Sequence, residues 1–172
     1  RELNGVPVVK PPAGADVPIA YVDPADGLRH RFVATQQGAI LVWNTQTHTF
    51  NATPFLDLRN DGAGSGLDKV NYGGARGLLS IAFDPEYATT GRFWVYYTSR
   101  PQTTPTIANG DIVVEGYQRS PGNPDLASTT RTLLFHITHG ATNHIGGHVA
   151  FGADGYVYPS AGDGGGGCDD GA

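Results

Sequence analysis

Short apolar runs broken by glycine, proline and aspartate make up most of the chain, and their period is that of strands. "HRFVAT" (30–35) and "AILVW" (39–43) flank the short polar turn Gln36-Gln37-Gly38, which predicts a hairpin. "LLSIAF" (78–83), "RFWVYYTS" (92–99), "DIVVEGYQ" (111–118) and "RTLLFHI" (131–137) predict a set of four strands. "HVAFG" (148–152) and "GYVYPSA" (155–161) begin another set, joined at Ala153-Asp154-Gly155. No segment reads as a convincing amphipathic helix, because Gly or Pro interrupts almost every candidate.

Self-comparison orders these strands. "IAYVDPADGLRHRFVAT" (19–35), "IAFDPEYATTGRFWVYYT" (81–98) and "VAFGADGYVYPSAG" (149–162) share one grammar: an apolar-Ala-aromatic strand, a turn on Asp with Pro or Gly, and an aromatic-rich strand. Their alanines, Ala20, Ala82 and Ala150, stand 62 and 68 residues apart. Recurrence of this kind marks a repeat architecture, and four antiparallel strands per unit describe a propeller blade. A β-sandwich is the competing arrangement, since its strands also alternate and turn at short spacing. The repeat favours an all-β propeller of four-stranded antiparallel blades, of which the chain supplies about two and a half. The expected layout is an N-terminal extension over 1–16, a first blade over about 17–60, a second over about 76–138 and the start of a third over about 143–172. An unpaired half-blade leaves exposed sheet edges, so the chain is expected to be the N-terminal part of a larger propeller.

Composition sharpens the class without naming a function. At 172 residues, 39% hydrophobic, the chain can build a real core and is not a disordered segment. A net charge of −5 with no basic stripe argues against nucleic acid as a partner. No apolar run approaches the ~20 residues that span a bilayer. The chain starts at Arg1 and has no methionine or signal peptide, which reads as a processed chain or a piece of one. The lone Cys168 excludes an internal disulfide framework and a CxxC site. Asn51-Ala52-Thr53 is a glycosylation sequon of little weight, as such triplets are common by chance.

Propellers gather ligands at the axial end, where loops from several blades converge, and the turn entering each first strand is expected to face that channel. "TNHIGG" and "GGARGLL" are two such turns. His144 is the candidate base, because imidazole exchanges a proton near neutrality; its bland reading is a turn residue. Gly146 and Gly147 would allow close approach of a flat ligand or of backbone. Arg76, beside Gly77, could neutralise an anionic cofactor or pair with Asp84 or Glu86 at the surface. His136, His139, His144 and His148 match no standard zinc spacing. Asp163, Asp169 and Asp170 could offer carboxylates to calcium, but lack the loop spacing of a calcium site and also read as a solvated loop. Cys168 is either an inert thiol or a loop contact.

Taken together, "ARGLLSIAFDPEYATTGRFWVYYT", "GDIVVEGYQRS" and "NHIGGHVAFGADGYVYPSAGDGGGG" resemble the soluble glucose/sorbosone dehydrogenase family. "FVATQQGAILVW" and "PFLDLR" resemble that family's first blade, and the likeness runs in consistent order over roughly residues 17–168. It implies a six-bladed propeller using pyrroloquinoline quinone (PQQ) and calcium to oxidise aldose sugars to lactones. It further implies a secreted or periplasmic setting and an external electron acceptor such as a dye, a quinone or a cytochrome. His144 falls on the family's catalytic histidine, which takes the proton of the anomeric hydroxyl as hydride passes from C1 to the quinone. Asn143 falls on a polar residue against the cofactor, Asp163 on an acid near the sugar, and Arg76 with Gly77 on a turn bordering the quinone. The clamp for the PQQ carboxylates and much of the calcium site belong to later blades.

Three positions depart from the pattern. Ala75 stands where the family usually has Glu or Gln, Pro159 is expected to interrupt its strand, and Cys168 breaks a glycine-rich stretch. Hedgehog-interacting proteins are relatives that keep the blades as recognition modules, so a non-catalytic binding propeller is the alternative, which Ala75 favours slightly. A lactonase-type hydrolase is weaker, since it needs polar inner strands and these are mostly apolar.

Overall fold

The computed structural model describes residues 17–59 and 67–165, together with two short N-terminal strands, β1 (Glu2–Leu3) and β2 (Val6–Pro7), which pair antiparallel. The first sheet contains β3 (Pro18–Val22), β4 (His30–Thr35), β5 (Ala39–Asn44), β6 (Thr49–Phe50) and β7 (Leu56–Asp57). Its outer position is split: β6 pairs one end of β5 and β7 the other. Next along the chain come β8 (Leu78–Phe83), the single helical turn α1 (Tyr87–Thr90), β9 (Arg92–Thr98), the hairpin of β10 (Gln102–Thr103) and β11 (Thr106–Ile107), β12 (Ile112–Gln118) and β13 (Thr132–Ile137). Of these, β8, β9, β12 and β13 form an antiparallel sheet in the order β13-β12-β9-β8. β14 (Gly146–Phe151) and β15 (Val157–Ala161) make a third, two-stranded sheet.

The first strands lie side by side, with β8 packed against β3 on one flank and β14 on the other. The Ser80 hydroxyl bridges β8 to β14, accepting from the Val149 N–H (3.2 Å) and donating to the Val149 carbonyl (3.4 Å). Successive antiparallel sheets meeting along their first strands are blades of a β-propeller.

The middle sheet buries both faces. Phe93, Val95 and Tyr97 of β9 join Phe32, Phe55 and Leu58 in the core against the first sheet. Tyr96 points the other way, into a second core with Ala82, Ile112, Val114, Ile145 and Val149, against which Trp94 packs. This explains why "RFWVYYT" reads as an unbroken apolar run, as in any strand covered on both sides. At ~1.5–3 kcal/mol per buried large apolar side chain, these two interfaces are the main cohesive force between blades.

The sequence repeat has a three-dimensional counterpart. Asp23, Asp84 and Asp154, in the turn after each first strand, each use Oδ1 to accept the N–H two residues on, at 2.9, 2.8 and 3.1 Å. Such Asx turns are the reason Asp recurs there. Each first strand also carries a bulge one residue from its start: Ile19, Leu79 and Gly147 have no partner across the pair. Nothing in the periodicity announces these bulges, which kink a strand and re-aim its entry.

Pro159 does not interrupt its strand. It pairs with Val149 inside β15, and its missing N–H costs nothing there because no described strand lies on its far side.

Candidate functional site at the strand-entry end

All three first strands begin at one end of the sheets, and the loops there hold the residues singled out in the sequence. Ile145 anchors the turn entering β14: its side chain is buried in the second core, and its carbonyl accepts from the Tyr96 hydroxyl (3.0 Å) and the Gly162 N–H (3.1 Å). Immediately before it, His144 adopts a left-handed conformation (φ 51°), uncommon for a residue with a side chain. The loop leaving β15 crosses this turn at contact distance. A Cβ on Gly162 would stand 1.7 Å from the His144 carbonyl oxygen, so only glycine fits. At Gly147 (φ 122°), a Cβ would meet Leu79 Cβ at 3.0 Å, which lets the two bulges touch.

That crossing brings Asp163 to His144, Nδ1 to Oδ1 3.0 Å. An ionised carboxylate only accepts, so Nδ1 donates, and in the neutral imidazole the lone pair then sits on Nε2. Asp163 Oδ1 also accepts the Gly165 N–H at 3.1 Å. That backbone bond, followed by the His144 contact, holds the Asp163 carboxyl below the usual carboxylate range. Both side chains remain about half exposed, 48% for His144 and 50% for Asp163, and so are open to a ligand. Asn143 is exposed beside them, and its Oδ1 lies where a side chain on Gly165 would stand.

Arg76 comes from the turn entering β8. That turn is closed by reciprocal Gly73–Arg76 backbone bonds and held by Gln36, whose amide donates to the carbonyls of Gly74 (2.8 Å) and Arg76 (2.9 Å). The alternative surface pairing of Arg76 with Asp84 or Glu86 is not found among the described residues. Asp84 at the opposite end binds Arg92 instead (2.8 Å). The Arg76 guanidinium lies over Gly110 and donates from Nη2 to the Ala141 carbonyl (3.0 Å). Its Nε is buried and has no hydrogen-bond partner among the described residues.

The remaining histidines do not gather. His139 is buried with Nδ1 3.2 Å from the Ala141 carbonyl, whereas His136 and His148 are exposed. Among the described residues no three His, Cys, Asp or Glu side chains stand close enough to hold a metal ion. Cys168, Asp169 and Asp170 lie outside the described residues. Sequence reasoning missed Tyr96 and Gln36, since one is hidden in an apolar run and the other reads as an ordinary turn residue.

A propeller with a histidine–aspartate pair presented by loops at its strand-entry end is the class of protein these features define. The chain belongs to the glucose/sorbosone dehydrogenase family, whose profile matches residues 18–170. Similar proteins include the hedgehog-interacting protein of Mus musculus, 29% identical over 154 residues covering 88% of this chain and 21% of that protein. The HIPL1 protein of Arabidopsis thaliana is 22% identical over 182 residues, covering 84% and 25%. The chain therefore spans about a fifth to a quarter of the length of these relatives. Among solved structures, the PQQ-bound aldose sugar dehydrogenase of Streptomyces coelicolor superimposes with a TM-score of 0.65 at 22% identity, over 87% of this chain and 39% of that one. The apo-form soluble aldose sugar dehydrogenase of Escherichia coli gives 0.64 at 21% identity, over 87% and 38%.

Proposed function

We propose that this chain is the N-terminal part of a PQQ-dependent dehydrogenase that oxidises aldose sugars at C1 to lactones. The observation that carries the reading is the half-exposed His144–Asp163 pair, Nδ1 to Oδ1 3.0 Å, on loops at the strand-entry end. We further assign blades to about residues 17–60 and 76–138 and the start of a third to about 143–172, residues 60 and 166–172 lying outside the described ones. A secreted or periplasmic setting, calcium and an external acceptor such as a dye, a quinone or a cytochrome belong to the same reading.

PQQ is a flat, anionic tricarboxylate, and the residues present suit one edge of it. Arg76 offers a buried Nε donor without a partner among the described residues and Asn143 an exposed amide, whereas the space beside Gly146 is taken by the loop leaving β15 and that beside Gly147 by Leu79. When bound, the quinone supplies the hydride acceptor. The chain's own residues do the rest. Asp163 holds His144 with Nδ1 protonated, so Nε2 takes the proton of the C1 hydroxyl as hydride leaves C1. Asp163 Oδ2 is left to bind a neighbouring sugar hydroxyl.

The test is reconstitution of the full-length protein with PQQ and calcium, followed by dye reduction over a panel of aldoses. Sugar-dependent reduction that disappears in His144→Ala while PQQ stays bound supports the reading. Failure to bind PQQ removes it. The second reading is a non-catalytic recognition propeller, supported by the 29% identity to hedgehog-interacting protein and by the non-polar Ala75 beside Arg76. It expects protein-partner binding that persists in His144→Ala.

A further inference from the structure

The loop carrying Asn143 and His144 is gripped at both ends by the preceding blade. On the β14 side, the Ile145 carbonyl accepts from the Tyr96 hydroxyl at 3.0 Å. On the other side, the Ala141 carbonyl accepts from Arg76 Nη2 (3.0 Å) and lies 3.2 Å from His139 Nδ1. Tyr96 is completely buried on β9, in the core that also holds Ile145, so its hydroxyl has no access to solvent. Burial alone pushes that hydroxyl up to about 12, so it stays a neutral donor through the physiological range. Between the two grips His144 is held at φ 51°, a conformation a side-chain-bearing residue keeps only when its surroundings enforce it.

We propose that Tyr96 and Arg76 are positioning residues that set the His144 ring by holding the carbonyls of Ile145 and Ala141. Neither touches His144, so both act through backbone. Tyr96 packs the turn down onto the second core, and Arg76 ties the segment before it to the turn entering β8. The loop therefore takes its shape from the interface between two blades, and this inference rests on His144 being the working group of the site.

The experiment compares Tyr96→Phe, Arg76→Ala and Arg76→Lys with the parent in the full-length protein. Tyr96→Phe keeps the ring in the core and removes only the donor. One readout is independent of cofactor: the His144 ring Cε1–Hε1 cross-peak in histidine-labelled apo protein, assigned by its loss in His144→Ala. In Tyr96→Phe and Arg76→Ala it is expected to shift or double, while Arg76→Lys, which keeps one donor, stays near the parent position. In the reconstituted Tyr96→Phe protein, whose substitution lies away from the cofactor edge, kcat falls roughly ten- to a hundredfold with KM close to the parent value, the pattern of a misplaced group. An unmoved cross-peak in both Tyr96→Phe and Arg76→Ala, together with parental kcat in Tyr96→Phe, overturns the proposal. Should His144→Ala itself remain active, the general-base reading fails, and the cross-peak still decides whether Tyr96 and Arg76 hold the loop.

Discussion

His144 on the turn entering β14 and Asp163 on the loop leaving β15 meet Nδ1 to Oδ1 at 3.0 Å, although 19 positions separate them. The contact exists because β14 and β15 pair from Gly146↔Ala161 onward, which brings the residues just outside that pair to the same place. Its chemical consequence is an imidazole with one defined tautomer and an open Nε2.

Replacing Asp163 with Asn removes an obligate acceptor and lets the ring adopt the wrong tautomer. Turnover is expected to fall on the order of 10²- to 10⁴-fold, measured as sugar-dependent dye reduction in the reconstituted protein. Thermal stability should hardly change, because the pair is half exposed.

Acid should break the same contact late. Asp163 titrates below its unfolded value because Gly165 and His144 stabilise the carboxylate, so its contribution is present above that unfolded value and is lost as pH falls through the lower, folded one. Carboxyl ¹³C titration is expected to give Asp163 a midpoint below the ordinary ~3.9, rising toward it in His144→Ala, which removes the ring contact.

Gly162→Ala should damage the site without unfolding the blades. Its Cβ would stand 1.7 Å from the His144 carbonyl oxygen, so the loop leaving β15 must retreat and carry Asp163 away. A cost of about 1–3 kcal/mol in urea unfolding and loss of the His144–Asp163 contact by NMR are expected.

Glu115 is fully buried on β12, where it accepts from Lys69 Nζ (3.2 Å), the Tyr117 hydroxyl (2.8 Å) and Arg131. Burial lowers the Lys69 ammonium and, with the Glu115 charge, raises the Tyr97 and Tyr117 hydroxyls. Glu115→Ala strands these partners and should cost about 3–5 kcal/mol by denaturant unfolding.

Alkali should unfold the protein through its buried phenols. Burial raises Tyr96 from 10.0 to about 12, so its stabilising contribution is full below pH 10 and disappears as pH rises through about 12. Tyr87, Tyr97 and Tyr117 are raised in the same direction. Tyrosinate absorbance is expected to appear cooperatively with loss of near-UV dichroism in that window, rather than at the ordinary phenol pH.

Much of the fold was legible because local chemistry repeats. The Asp of each first hairpin makes an Asx turn, but the apolar run of β9 gave no sign that Phe93 and Val95 face one core and Trp94 and Tyr96 the other. The bulges at Ile19, Leu79 and Gly147 were not legible, since an unpaired residue changes register without changing composition. Arg76 was found, but its partner was not: Asp84 is close in sequence, whereas Ala141 is close only once two blades pack.

The sequence by itself determined the long strands, their repeat, and which residues could carry proton chemistry, because propensity, turn chemistry and apolar periodicity act over a few neighbours. Tertiary structure alone decided that Asp163 faces His144, that Tyr96 and Arg76 grip its loop, and that Glu115 is buried among cations. Those contacts join positions 16 to 65 residues apart, and only the pairing of strands and the packing of blades bring them within hydrogen-bond reach.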